Sequence, residues 1–183
     1  PAAYKHPEDA DAQLKMSIAA YQKYFNHTPT GYVAPYGAIS PAVVPLLKDN
    51  GFDWFVSAEQ VLAKSSPRNL PSTLPFNVTV DGKTMYSAFG HATLTNRLNW
   101  TYRNYYAENA ADDFVKTVLA MAPNNPKKNA LVTVVIDGDE AWQHYQRDID
   151  GKGIINGVYR KLNKLFKNRT IVSVTMSEYV RGN

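Results

Sequence analysis

Ala130-Leu-Val-Thr-Val-Val-Ile-Asp137 is the most apolar run of the chain, closed by a carboxylate. It does not alternate apolar with polar residues, so it predicts a strand covered on both faces. Strands of that kind belong to parallel sheets whose crossovers lay helices over the sheet. A carboxylate directly after such a strand is costly unless it is paired or functional. Asp137 is therefore the foremost candidate for chemistry. Gly138, Asp139, Glu140 and Trp142 follow it closely. Acids beside an indole suit a saccharide: the ring stacks on the apolar face of a pyranose, and the acids bond hydroxyls or protonate a glycosidic oxygen. The plain alternative is a strand-end Asp that caps the next turn.

Outward from that run, the pattern alternates strands and helices. Upstream, Leu14, Ile18, Tyr21 and Phe25 recur at helical spacing and predict a helix over 8–25, with Glu8, Asp9 and Asp11 in its acid-favouring first turn. A short apolar strand spans 31–35. Ser40-Pro41 predicts the start of a helix over 41–50, closed by Gly51. A strand is expected over 53–57 and a loop over 66–75. Asp81-Gly82 predicts a hairpin between 77–80 and 84–89. Helices are expected over 110–121 and 154–166, with a turn over 123–129 between the first of them and the apolar run. A last strand over 170–176 leads to a short helix capped by Ser177. No internal repeat is visible. The fold class is α/β, a mostly parallel sheet covered by helices. In such sheets chemistry sits at the C-terminal strand ends, here 35–39, 58–60, 89–91, 137–142 and 176–178.

Composition narrows the function. The chain has 183 residues, 44% hydrophobic and 20% charged, which suits one soluble domain or part of one. No apolar run reaches the ~18 residues of a membrane span, and the first residues are too polar for a signal peptide. The net charge of +4 is dispersed apart from Lys127-Lys128 and the run from Lys161 to Arg169. That reads as a solvated helix face, not a nucleic-acid footprint. The absence of cysteine excludes disulfides, thiolate catalysis and cysteine metal sites. Four glycosylation sequons begin at Asn26, Asn77, Asn99 and Asn168, a mild excess that hints at export to the cell surface or beyond.

Several segments carry a resemblance. Val135-Ile-Asp-Gly-Asp-Glu-Ala-Trp-Gln-His-Tyr145 resembles the "LDGENAWEHY" segment of glycoside hydrolase family 57. Thr30-Gly-Tyr-Val-Ala-Pro-Tyr-Gly-Ala-Ile-Ser-Pro41 is similar to that family's "GIWPPEGAVSP". Ser57-Ala-Glu59 resembles its "TDE" element. The stretch from Gly90-His91 through Asn99, with Ala110-Ala-Asp-Asp-Phe-Val115, is similar to its "DHELSDLIG…DDFV". Val174-Thr-Met-Ser-Glu-Tyr179 resembles its closing "VTPSEY". The resemblance runs in order along nearly the whole chain. It implies the C-terminal part of a (β/α)7-type barrel, a partial barrel here, completed by a missing N-terminal segment or a partner chain. It also implies an oligo- or polysaccharide ligand, no cofactor and no metal.

The resemblance assigns Asp137 the place of the acid/base catalyst in a retaining α-glucan hydrolase or transferase. The family's nucleophilic Glu falls on Tyr36. A retaining mechanism uses two carboxylates about 5 Å apart, and a phenol is a poor nucleophile at neutral pH unless a base activates it. The expectation is therefore weakened or lost catalysis, with Glu59 as a substitute carboxylate. His91, Trp142, Asp139 and Glu140 are the expected substrate contacts. The alternative is a non-catalytic glycan-binding or structural surface protein. A second alternative arises because Ala34-Pro-Tyr-Gly37 is similar to the "RPPYG" motif of polysaccharide deacetylases. Those enzymes need two metal-binding histidines one helical turn apart, and His6, His27, His91 and His144 lack that spacing.

Overall fold

A computed structural model describes residues 6–65, 69–125, 128–136, 138 and 142–182. In chain order the elements are α1 (Pro7–Phe25), β1 (Gly31–Val33), a 3₁₀ turn (Pro35–Gly37), α2 (Val43–Asp49), β2 (Trp54–Ala58), α3 (Glu59–Ala63), β3 (Phe76–Val80) and β4 (Lys83–Gly90). There follow α4 (Ala92–Asn99), a 3₁₀ turn (Thr101–Asn104), α5 (Ala107–Leu119), 3₁₀ turns at Trp142–His144 and Ile149–Gly151, α6 (Lys152–Lys167) and α7 (Met176–Arg181). The chain divides into two compact units. The first holds Pro1–Arg68, Pro75–Phe89 and Thr175–Asn183; the second holds Asn69–Leu74 and Gly90–Val174.

The first unit is built on a four-stranded sheet of order β1-β2-β4-β3. β1 runs parallel to β2 with Gly31 opposite Trp54, and β3 pairs antiparallel with β4. Asp81 (φ 49) and Gly82 (φ 73) both take left-handed backbone at the hairpin tip, as a two-residue turn matched to strand twist requires. Val44, Leu47, Phe52, Phe55 and Met85 form the core, with Leu14 and Ile18 of α1 packed on it. The expected apolar stripe of α1 is used only halfway. Tyr21 and Phe25 stay exposed and pack on each other at 4.6 Å instead.

α2 starts two residues later than expected, and no Ser40 side chain caps it. Pro45 explains the shift. A helix begun at Pro41 would need an N–H from Pro45 to the Pro41 carbonyl, and the ring would clash there. Starting at Val43 puts Pro45 in the first turn, where the missing N–H has no intrahelical partner to lose. The closing helix α7 also differs from expectation. Thr175, not Ser177, caps it in a reciprocal box with Glu178.

The second unit is mostly helical. Leu94, Leu98, Tyr102, Ala110, Ala111, Phe114, Tyr145, Ile154 and Val158 form its core, joining α4, α5 and α6. Tyr145 donates to the Leu98 carbonyl at 2.5 Å, and Tyr102 donates to Asp113 at 2.8 Å. Asp148 holds the start of α6, accepting from the Gly153 and Ile154 amides at 2.9 and 2.7 Å. Gly151 (φ 62) supplies the left-handed residue at that entry, and its α-carbon lies flat against the Trp142 ring, where a Cβ would sit 2.3 Å away.

Two expected strands do not form as ladders. Residues 130–136 make one parallel bridge, Thr133 to Gly90, and are half-buried, with Ile136 exposed. Residues 171–174 make no ladder bond among the described residues, and Val172 and Val174 are exposed. The composition of both segments reports a preference for a pleated, covered surface. A strand also needs neighbours to bond. Segment 130–136 has Gly90–His91 beside it, and 171–174 has no such neighbour among the described residues.

Candidate functional site

At the end of β1 the Ala34 amide still donates to the Val56 carbonyl (2.9 Å), so the pairing with β2 runs to the lip of the sheet. The chain then turns tightly. The Gly37 and Ala38 amides return to the carbonyls of Ala34 (2.8 Å) and Pro35 (3.0 Å). Tyr36 sits at φ 51, ψ 21 and is fully exposed. Left-handed backbone in a bulky residue costs about 1 kcal/mol or more. Its persistence here has a cause: the buried Ser57 hydroxyl donates to the Gly37 carbonyl at 2.6 Å, and Gly37 presses on Ala58, whose methyl would be 2.4 Å from any added Cβ. Only glycine fits there, at φ 68. The turn that projects Tyr36 is thus stitched to the strand end that Glu59 follows. Glu59, half-buried, opens α3.

In the second unit His91 stands before α4. Its Nδ1 takes a long contact of 3.5 Å from the Leu94 amide, and its own amide donates to Thr133 at 2.8 Å. Trp142 is half-buried, stacked on Tyr145 at 5.6 Å and backed by Gly151. Asp137, Asp139 and Glu140 lie outside the described residues. Of the sequon residues, Asn26, Asn77 and Asn168 are exposed, whereas the Asn99 amide oxygen is sealed in the second unit. Among the described residues no group of three or more His, Asp or Glu side chains is placed to hold a metal ion.

The reading of the sequence missed Ser177 as a joint. Its hydroxyl accepts from the Trp54 indole N–H at 3.1 Å and lies 3.3 Å from the Thr30 hydroxyl, 147 residues away in sequence. The Trp54 ring covers Gly31, where a Cβ would fall 1.9 Å from the indole. The Thr-Met-Ser-Glu stretch therefore does two structural things: Thr175 and Glu178 cap α7, and Ser177 fastens the helix to β2. The local signal was a small residue opposite a tryptophan in neighbouring apolar segments.

A family model described as Glycosyl hydrolase family 57 matches residues 2–183. Among solved structures, the chain is similar to a 4-alpha-glucanotransferase from Thermococcus litoralis, with a TM-score of 0.63 at 16% identity. The match covers 95% of this chain and 26% of that one, so the likeness is to part of a much longer protein. It supports the α/β class and the partial-barrel reading of the sheet. No curated protein matches the chain.

Proposed function

Because this chain belongs to glycosyl hydrolase family 57, we propose that it is a carbohydrate-active domain that binds an α-glucan-type oligo- or polysaccharide, with catalysis weakened or lost. The observation that carries the reading is the Tyr36 turn. A fully exposed phenol is held on strained backbone at the C-terminal end of a parallel strand. Strain of this kind concentrates at functional positions. In this reading Asp137 donates a proton to the leaving oxygen, Tyr36 occupies the nucleophile position, and Glu59 is the carboxylate available at the adjoining strand end. His91, Trp142, Asp139 and Glu140 contact the sugar. Without a nucleophilic carboxylate, turnover falls by several orders of magnitude.

Further strands, from the same polypeptide or another chain, complete the sheet next to β1, which stands at one end of the strand order and is three residues long. Asn26, Asn77 and Asn168 are the sequons open to glycosylation in this reading. The test is incubation with maltooligosaccharides and an α-glucan, with binding and product release measured together. Binding is expected, and any slow turnover should vanish in Asp137→Asn. A protein that neither binds nor cleaves either material sinks the reading. Turnover that survives Asp137→Asn removes Asp137 from the proposed role.

A further inference from the structure

The segment Trp100-Thr-Tyr-Arg-Asn-Tyr-Tyr106 places aromatic and basic residues together on the second unit. The Arg103 guanidinium lies over the Trp100 ring at 4.1 Å, and the Arg147 guanidinium lies over the Tyr106 ring at 4.6 Å. The two pairs are neighbours, because the Gln146 amide donates to the Arg103 carbonyl at 2.9 Å. Trp100 is 63% exposed and Tyr106 62%.

Neither arginine has a carboxylate partner among the described residues. The nearby acids are engaged elsewhere. Glu108 pairs with Arg160 and Lys161, Asp112 with Lys161, and Asp113 with Arg97 and Tyr102. Asp148 is occupied by the α6 amides. Asp150 alone among the described acids of 100–160 has no such partner. The Nε atom of Arg103 is moreover buried without a hydrogen bond. An unmet buried donor is a cost to the fold, offset here by the seat of the guanidinium on the Trp100 ring.

We propose that the surface formed by Arg103 on Trp100 and Arg147 on Tyr106 binds an acidic, uronate-bearing saccharide. A guanidinium fork matches a carboxylate with two parallel hydrogen bonds, and seating it on a ring limits the freedom lost on binding. The exposed indole and phenol offer faces for the apolar side of a pyranose. Charge selects the acid, and the rings select a sugar over a bare anion. The inference rests on the carbohydrate reading above and adds a second ligand class. None of its residues belongs to the proposed catalytic set.

The experiment is a calorimetric titration of the intact chain with a hexamer of 1,4-linked uronic acid and, separately, with maltohexaose. The uronate should bind, and more weakly as salt is raised. R147Q and R103K should each weaken it roughly tenfold, R103K because lysine keeps the charge and loses the fork. Neither should change maltohexaose binding, and Asp137→Asn should leave uronate binding intact. If R103K fails to fold, the exposed R147Q still decides. Uronate binding that ignores both substitutions overturns the inference. So does an equal loss for maltohexaose, or equal competition by a single-stranded oligonucleotide. Maltohexaose binding without uronate binding overturns this inference alone; binding of neither saccharide removes the carbohydrate reading as well.

Discussion

The two units close their structures with different joints. In the first, small residues let larger groups approach: Gly31 under the Trp54 ring, Ser177 on the indole N–H, Gly37 against Ala58 with its carbonyl on Ser57, and the Ser87 hydroxyl on the Phe76 carbonyl (3.1 Å). The second unit has a glycine joint too, Gly151 under the Trp142 ring, but there buried phenols also span gaps: Tyr145 reaches Leu98 and Tyr102 reaches Asp113. A joint made by a missing side chain cannot tolerate growth. A joint made by a buried phenol cannot tolerate ionisation. Growth should therefore damage either unit, while alkali should act chiefly on the second.

Growth is the stronger insult. Gly31→Val places its Cβ 1.9 Å from an indole that is itself bonded to Ser177, so neither the ring nor the strand can yield cheaply. The expected loss is about 3 kcal/mol or more, at the upper end of overpacking. Chemical denaturation of the variant measures it. A loss below about 1 kcal/mol would mean the ring swings aside and the small-residue joint at Gly31 does not hold as described.

Alkali should act on the second unit. Burial raises the Tyr145 hydroxyl to about 12, and burial with the neighbouring Asp113 carboxylate raises Tyr102 further. Both folded values exceed the unfolded one, so this stability is fully present below the ordinary tyrosine range and is lost as pH rises from about 10 through 12. Tyr145 alone is linked to roughly 3 kcal/mol across that window. Lys161, raised by Asp112 and Glu108, loses its pairs in the same direction. Tyr32 of the first unit is raised by burial too, yet it is only half-buried and adds less. Unfolding followed from pH 9 to 12 should show the decline, and Tyr145→Phe should flatten it. A profile unchanged by that substitution would refute the assignment of the joint.

The same distinction explains what could be read from sequence. Elements made by nearby residues were legible: α1, α5, α6, β2 and the Asp81-Gly82 hairpin follow from periodicity, caps and turn chemistry. The runs 130–136 and 170–176 were not, because β-branched residues state a preference while a ladder needs a neighbour. Pro45 moved the start of α2, a local signal that Ser40-Pro41 overshadowed. The candidates Tyr36 and Glu59 came from motif and strand-end position. The backbone strain at Tyr36 and the Ser57–Gly37 stitch beneath it depend on contacts across two strands. Ser177 looked like a cap because its partner Trp54 lies 123 residues away.

Acid supplies the smallest and most local contrast. The first unit holds two carboxyls below their usual range. Asp11 is lowered chiefly by its bond from Lys15 (2.6 Å) and then by Asn50, and Glu178 by the Thr175 amide (2.8 Å) and then its hydroxyl. Folded values below unfolded ones mean that the contribution is present above the ordinary carboxylate range, near 4, and is lost as pH falls through the folded values. Glu178 is exposed and Asp11 only half-buried, so water and salt screen them and the effect on global stability stays small. The effect is better sought in the cap itself. The Thr175 amide shift should titrate with Glu178 at a pH below the ordinary glutamate value. Glu178→Gln should abolish that titration while keeping α7 intact, since glutamine also completes a capping box. An amide that titrates at or above the ordinary value would mean the cap does not favour the carboxylate. The link from Thr175 and Glu178 to the fastening of α7 would then have to rest on Ser177 alone.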